Sequence, residues 1–591
     1  MVNRGPSGAC VTCKKRRVKC DEARPHCGPC RRLALHCGGY KAKFANLKFK
    51  DETKKVCARV AKRQGSAETD RSQDHSQSEG QCQHLVLQRP LTEPDAAVPF
   101  YIQLYVSGRE MDSARGFFEM LIPIYNAQTQ DSALSLAVSA VASGIQSLWR
   151  HGSFQSLSSP AERYHTRAVK SLRRALQDRN EWGKPATMLA VLALQWYENI
   201  AAVYGMRSAT RIHHNGAVSL LPFVASTYAD ADADAERDDK ASEYVRRFIL
   251  HAEVASALRQ ERPLRDIVYT WIAGKRSISA PDNENPSAAL DALGASVAEL
   301  QARYMQLSRS QPQSPSSAAQ DARDWIAEAK HIDRQLVAWA ENVPDHWRPV
   351  KLFSGIDVDV SIPTYQSVCE IYPSCQIGAI WNLYRVQRLL LARIIITSLS
   401  TISDSTPTVS GLTTDEEGWI SDEFVENLHT LQMLVDEICH SVPFYLGNRT
   451  HTSGLADFTD EAILLPSCQP HGRRNKSPIP TPPSGSPSPL SNEQLKRSLI
   501  AQGPWHLMSP LSRILTLFSE EHGPLPVSLL RPGQHGWIQG QFLRVLGLLR
   551  IFPGGIGDDI VRESCIQGNV DGRVEDLAQA VRKGAIFMSG P

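Results

Sequence analysis

Thiols are the groups in this chain whose type and spacing point to chemistry. Cys10, Cys13, Cys20, Cys27, Cys30 and Cys37 follow the pattern Cys-x2-Cys-x6-Cys-x6-Cys-x2-Cys-x6-Cys. The second three repeat the first three after 17 residues, so two equivalent half-sites stand in tandem. The whole frame spans 28 residues, and a segment below about 40 residues needs a disulfide or a metal to fold. The opening Met-Val-Asn-Arg-Gly-Pro has no apolar stretch of a secretory leader, which argues against disulfides. Soft thiolates in this arrangement select zinc, which takes four of them in a tetrahedral structural site. Two zinc ions need more sulfur positions than six cysteines supply singly, so two cysteines must each bridge both metals. Equivalence of the halves leaves three candidate pairs: Cys10 with Cys27, Cys13 with Cys30, or Cys20 with Cys37.

The elements that must position these sulfurs are short helices following each Cys-x2-Cys, whose early N–H groups can donate to thiolates and partly neutralise an anionic cluster. Such a helix carries its basic side chains outward. Lys14, Lys15, Arg16, Arg17 and Lys19 lie in the first half and Arg31 and Arg32 in the second; with Arg24 they face only Asp21 and Glu22. Cations grip phosphates without regard to sequence, whereas base reading needs groups that reach the edges in the major groove. The richer first half is the expected reader.

The stretch Cys10-Val-Thr-Cys13-Lys-Lys-Arg-Arg-Val-Lys-Cys20-Asp-Glu-Ala-Arg-Pro-His-Cys27-Gly-Pro-Cys30, completed by Arg-Arg-Leu-Ala-Leu-His-Cys37, resembles the fungal zinc binuclear cluster transcription factors. Besides the cysteines, the likeness includes the basic run, Lys19 before the third cysteine, Asp21 after it, and Pro25 between the halves. It implies two zinc ions with Cys10 and Cys27 as the bridges, Cys13 and Cys20 completing one site, and Cys30 and Cys37 the other. It also implies that the end of the first helix enters the major groove of double-stranded DNA over a short G·C-rich triplet, with Arg16 and Arg17 reading bases. Lys14, Lys15, Lys19 and Arg31 then hold phosphates. A nuclear protein serving transcription by RNA polymerase II follows from the same resemblance, with the transcription machinery and a second copy of the chain as further partners. Residues from about 100 to 560 look like the regulatory region of these factors, through Tyr164-His-Thr-Arg-Ala-Val-Lys-Ser-Leu-Arg-Arg-Ala-Leu, His214-Asn-Gly-Ala-Val-Ser-Leu-Leu and Trp537-Ile-Gln-Gly-Gln-Phe-Leu-Arg-Val-Leu.

The formal net charge of +3 conceals a division, because residues 1 to 63 carry +14 and the remainder −11. The basic end is therefore the nucleic-acid end. Of 591 residues, 42% are hydrophobic, enough for a large core. The expected organisation is a zinc cluster domain at 1–50, a basic then polar linker at 51–98, and a helical regulatory region at 99–591. Phe44, Leu47, Val56 and Val60 do not sustain the apolar heptad of a dimerising coiled coil. The fold class is mainly α: a small two-zinc cluster domain of two short helices, then a large all-α region. Helices are expected over 132–149, 160–176, 185–204, 208–223, 241–258, 321–342, 377–399, 422–439, 491–518 and 537–551, with prolines at first-turn positions supporting the starts. Low-complexity loops are expected at 308–320 and 471–492; the second holds Ser477, Thr481, Ser486 and Ser488, each before proline. No stretch reads as a membrane span, the best being interrupted by Arg393.

Other constellations carry little. Asp230, Asp232, Asp234 and Glu236 resemble a calcium loop but have Ala235 and Ala241 where glycine and glutamate are needed, so a solvated acidic loop is expected. Adjacent His213 and His214 diverge on a helix and read as core or capping residues. The run Gly554-Gly-Ile-Gly557 lacks the rest of a nucleotide fingerprint, and no hydrolase or protease signature occurs. The remaining seven cysteines are scattered without ligand spacing. Binding rather than catalysis is the expected activity; the competing reading is a thiolate metal buffer or redox sensor, which has no need of Arg16 and Arg17.

Overall fold

A computed structural model describes residues 9–21, 23 and 26–38 of the N-terminal part. Of the rest it describes 96–106, 117–152, 154, 159–205, 209–224, 233–269, 286–308, 315–405, 414–466, 491–519, 524–551 and 573–584. The chain divides into two compact units, Met1–Cys82 and Gln83–Pro591.

In the first unit, α1 (Val11–Lys15) and α2 (Gly28–Arg32) are single-turn helices. Each begins immediately after the first cysteine of its Cys-x2-Cys, not after the pair as the sequence implied, so the second cysteine lies inside the helix. Both end the same way. Arg17 N–H donates to Lys14 O and Val18 N–H to Cys13 O; after α2, Ala34 N–H donates to Arg31 O and Leu35 N–H to Cys30 O. This is the Schellman closure, and it requires a left-handed residue: Arg17 at φ 54° and Ala34 at φ 50°. The sequence repeat of 17 is thus a structural repeat in its helix and closing turn. Thr12 and Asp21 fasten one half to the other. The Thr12 hydroxyl donates to His36 O and accepts from Gly38 N–H, both at 2.9 Å. The Asp21 carboxylate accepts from Gly28 N–H at 2.9 Å.

The second unit is helical around one continuous apolar core. Its helices are α3 (Ala97–Tyr101), α4 (Phe117–Asn126), α5 (Ala133–His151), α6 (Pro160–Ala175), α7 (Pro185–Tyr204), α8 (Ile212–Leu220), α9 (Ala233–Gln260), α10 (Pro286–Ser308), α11 (Pro315–Asn342), α12 (Cys375–Ser405), α13 (Thr414–Leu446), α14 (Asn492–Leu517), α15 (Gln534–Leu548) and α16 (Arg573–Gly584). Local signals explain several starts. Ser132 caps α5 through Ser135 N–H, Pro185 opens α7, and Ser491 with Gln494 forms a reciprocal capping box on α14. At the far end of α5, Gly152 adopts φ 70°.

Four readings change. Residues 315–320, expected in a low-complexity loop, form the first turns of α11 behind Pro315 at its start. The acidic stretch is a loop only in part, because α9 begins at Ala233. A short antiparallel hairpin, β1 (Val350–Phe353) and β2 (Val368–Ile371) with Val350 opposite Ile371, was not expected in an all-α region. Finally, α7 and the Cys375–Asp404 segment of α12 are long and apolar enough to cross a membrane, although 83% and 72% of those windows are buried inside the protein. They are core helices. The expected loop at 471–490 and the segment carrying Phe44, Leu47, Val56 and Val60 lie outside the described residues, as does Gly554–Gly557.

Charge inside α12 is neutralised by neighbours. Fully buried Arg385 meets Glu370 of β2 at 2.5 Å, Glu437 of α13 at 3.0 Å and the Tyr372 hydroxyl at 2.8 Å. Arg388 pairs with Asp333 at 2.6 Å and Arg393 with Glu261 at 3.1 Å. The arginine that breaks the apolar run is thus a packing contact between helices.

Candidate metal centre and nucleic-acid interface

The six cysteines form a cluster of their own, separate from the apolar core of the helical unit. Cys10, Cys13, Cys27, Cys30 and Cys37 are buried and Cys20 is half-buried. Their sulfurs fall into two groups of four, Cys10, Cys13, Cys20, Cys27 and Cys10, Cys27, Cys30, Cys37, with all atoms of a group within 4.8 Å of one another. Cys10 and Cys27 belong to both groups and stand 3.5 Å apart. All six are free thiols, so disulfides are absent from the cluster.

A fit to zinc follows from arithmetic. Tetrahedral Zn–S bonds of about 2.3 Å put neighbouring sulfurs about 3.8 Å apart. Within the groups, Cys10 to Cys30 measures 3.8 Å, Cys13 to Cys27 3.6 Å, and Cys37 to Cys27 4.0 Å. Sulfur chemistry agrees. Loss of solvent pushes the Cys13 thiol up to about 12 and raises Cys27 and Cys30 as well. Six thiolates at such separations therefore need compensating cations to coexist. One local donor contributes: Cys13 N–H, inside α1, reaches Cys10 Sγ at 3.3 Å.

The basic residues singled out in the sequence gather on the outside of this cluster. Lys14 and Lys15 form the last turn of α1, and Arg16 and Arg17 make the Schellman turn that follows. Lys19 leads into Cys20, and Arg31 lies in the last turn of α2. All six side chains are exposed. At positions related by the repeat, α2 carries Leu33 and Ala34 where α1 carries Arg16 and Arg17. The two halves share a backbone and differ in the chemistry they present.

The family model described as "Fungal Zn(2)-Cys(6) binuclear cluster domain" matches residues 8–46, and that described as "Fungal specific transcription factor domain" matches residues 104–380. The chain belongs to the fungal zinc binuclear cluster transcription factors. This domain binds two zinc ions, which accords with two sulfur groups sharing two members. A stretch of this chain is similar to the "Sterol uptake control protein 2" of Candida albicans, with 58% identity over 38 residues, 6% of this chain and 5% of that one. A stretch is also similar to the "Aspercryptin biosynthesis cluster-specific transcription regulator atnN" of Emericella nidulans, with 58% identity over 31 residues and 5% of each chain. These matches span only a small part of either relative. No solved structure matches the chain.

Sequence reasoning missed several buried polar networks in the helical unit. His214 Nε2 lies 2.6 Å from Glu253 Oε2, and Arg262 grips the same carboxylate at 2.7 and 3.0 Å. Burial alone would raise the Glu253 carboxyl, but the hydrogen bonds from His214 and Arg262 outweigh it and hold the group at about 2. Burial also keeps His214 below its ordinary value. This triad ties α8 to α9 and reads as structural, because every member is occupied by another. Charged residues set in otherwise apolar helical runs were the available signal.

Proposed function

We propose that this chain is a sequence-specific DNA-binding regulator of transcription by RNA polymerase II, acting in the nucleus. Six cysteines hold the two zinc ions, with Cys10 and Cys27 bridging, Cys13 and Cys20 completing one site, and Cys30 and Cys37 the other. The zinc ions supply rigid cross-links in place of an apolar core. Arg16 and Arg17 read guanine edges in short G·C-rich triplets, where an arginine can donate two bonds to O6 and N7. Lys14, Lys15, Lys19 and Arg31 hold phosphates. The cluster domain occupies 1–50, a linker 51–98, and the regulatory region 99–591, which couples DNA binding to the transcription machinery. Control of a metabolic or secondary-metabolite pathway fits the names of the two relatives.

One observation carries this reading: two four-sulfur groups share Cys10 and Cys27, and the helix that holds Cys13 closes in an exposed turn built of Arg16 and Arg17. Selection from random oligonucleotides at a stated salt concentration, with zinc counted per chain, tests it. Two zinc ions and an enriched G·C triplet are expected, and a paired triplet would report a dimer. Two zinc ions with no enriched sequence would favour the metal-buffer reading instead.

A further inference from the structure

Where the C-terminal end of α9 meets α12, α14 and α16, arginines from three helices gather around one carboxylate. Arg393 of α12 pairs with Glu261, the residue after α9, at 3.1 Å. Arg513 of α14 and Arg582 of α16 touch no carboxylate among the described residues. Arg513 Nη2 donates to Leu258 O at 3.0 Å, and Arg582 donates to Thr516 Oγ1 at 2.6 Å and to Arg259 O at 3.2 Å. Both carbonyls lie in the last turn of α9, which offers only a partial negative charge. Three full cations thus meet one full anion, leaving an excess of two positive charges.

Two N–H groups of this cluster also lack an acceptor. Arg393 is 7% exposed and Arg513 5%, and the buried Arg393 Nε and Arg513 Nη1 have no hydrogen-bond partner. Buried charges are ordinarily paired and buried donors satisfied, because neither has water to fall back on. The like charges act on one another. Burial lowers Arg513 well below its ordinary value, and Arg582, Arg259 and Arg393 lower it further against the pull of Glu261. Burial likewise pushes Arg582 down to about 10, with Glu261 opposing the shift and Arg393 adding to it. Solvent reaches the cluster at one edge, where the Glu261 side chain keeps 23% of its exposure and Arg582 is half-buried.

We propose that this arginine cluster binds a phosphate dianion, free or carried by a small metabolite, with Arg393 Nε and Arg513 Nη1 donating to its oxygens and Arg582 supplying charge. A dianion matches the excess of two. A tetrahedral oxyanion offers acceptors to guanidiniums arriving from three helices, and each such bond is charge-assisted. A carboxylate brings one charge and two coplanar oxygens, which leaves a cation unmatched. The location gives binding a consequence: Leu258 and Glu261 belong to the matched 104–380 region, whereas Arg393, Arg513 and Arg582 lie beyond it. A bound phosphate would fasten α16 and α14 to the end of α9. The inference does not depend on how the zinc unit reads DNA.

Calorimetric titration of the full chain with inorganic phosphate and with glucose 6-phosphate, at fixed ionic strength in a phosphate-free buffer, tests the site; acetate is the monoanion control. Saturable binding of one phosphate per chain is expected, with acetate weaker. Tighter binding of inorganic phosphate assigns the free ion, and tighter binding of the ester assigns a metabolite. Arg513→Gln, with its helical circular dichroism retained, should weaken phosphate by about tenfold, the scale of a charged hydrogen bond. Glu261→Gln should tighten it by about threefold or more, because it removes the repelling carboxylate and releases Arg393; arginines that only pack the helices together would give no such gain. Absence of saturable binding by both phosphates at millimolar concentration would overturn the proposal, as would equal affinity for acetate or no gain in Glu261→Gln. Unaltered affinity in folded Arg513→Gln would also overturn it, placing the phosphate on the exposed cations of the zinc unit.

Discussion

Replacing Arg17 separates folding of the zinc unit from its reading of DNA, because the two depend on different parts of that residue. Its backbone closes α1 at φ 54° through N–H bonds to Lys14 O and from Val18 to Cys13 O. Its side chain is exposed. A non-glycine residue in the left-handed region costs about 1–2 kcal/mol, while glycine gives back about 0.5–1 kcal/mol through the entropy of the unfolded chain. Arg17→Gly should therefore favour the folded, metal-bound unit by about 0.5–1 kcal/mol, a two- to fivefold gain in resistance to a competing chelator. The same substitution removes a base contact worth about 1–3 kcal/mol of discrimination. Preference for a selected triplet over its scrambled version should fall about five- to 160-fold, read by fluorescence anisotropy at fixed salt. Arg17→Ala should lose preference equally with unchanged zinc retention. If Arg17→Gly keeps full preference, the base reader is assigned to the wrong residue. If it sheds zinc more easily than the parent, the account of the turn is wrong.

Three further outcomes are expected. At Gly28 a Cβ would lie 2.4 Å from Asp21 Oδ2, so Gly28→Ala should break the Asp21 link between the half-sites and lower zinc retention by about tenfold, the effect of losing a charged hydrogen bond of about 1.5 kcal/mol; a titration against a coloured chelator reads it. Glu253→Gln should destabilise the helical unit by about 3 kcal/mol in urea, because it leaves Arg262 without its buried counter-charge. In the parent protein both Glu253 and His214 have depressed values, so each contributes stability that is full above its unfolded value and lost as pH falls: from about 6.5 downward for His214 and between about 4.5 and 2 for Glu253. Removing zinc should unfold residues 10–37, since structural zinc supplies about 10–16 kcal/mol in small zinc peptides, and should leave the helical circular dichroism of the second unit in place. Sequence-specific binding that survives excess chelator would contradict this.

The cysteine frame and the start of α7 were legible because a few residues determine each: thiols at fixed spacing, and Pro185 at a first turn. The starts expected at Ser132 and Ser491 also hold, and the structure supplies their reason, each serine satisfying helix N–H groups from its own side chain. The other end of many helices was not legible. Periodicity placed the end of the α13 pattern at Cys439, but the helix continues to Leu446, and buried Val442, Phe444 and Tyr445 carry it past Pro443. Tertiary burial, not local propensity, extends it. The hairpin was missed because each strand has four residues and β2 buries Cys369, Glu370 and Ile371 consecutively, without the alternation that identifies a half-buried strand. Glu370 is tolerable there only because Arg385, 15 residues later, reaches it.

Ligand counting alone could not choose the bridging pair, because a tandem repeat makes all three pairs equivalent in sequence. The sulfur grouping favours one pair, since Cys10 and Cys27 belong to both four-sulfur groups. A bridging sulfur must lie between two metals and therefore deepest in the unit, and Cys10 and Cys27 are both 0% exposed, whereas Cys37 retains 7% and Cys20 is half-buried. Cys13 and Cys30 are nearly as deep and approach each other to 3.8 Å, yet neither belongs to both sulfur groups. Cys10 and Cys27 are also the residues from which α1 and α2 start, so each shared sulfur sits where its helix presents free N–H groups. The repeat then explains why function is one-sided. Two halves with the same helix, the same closing turn and equivalent ligands offer the same backbone to DNA, and only the side chains on the turn distinguish them. On the proposed reading, Arg16 and Arg17 on one side against Leu33 and Ala34 on the other make the first half the reader and the second a support.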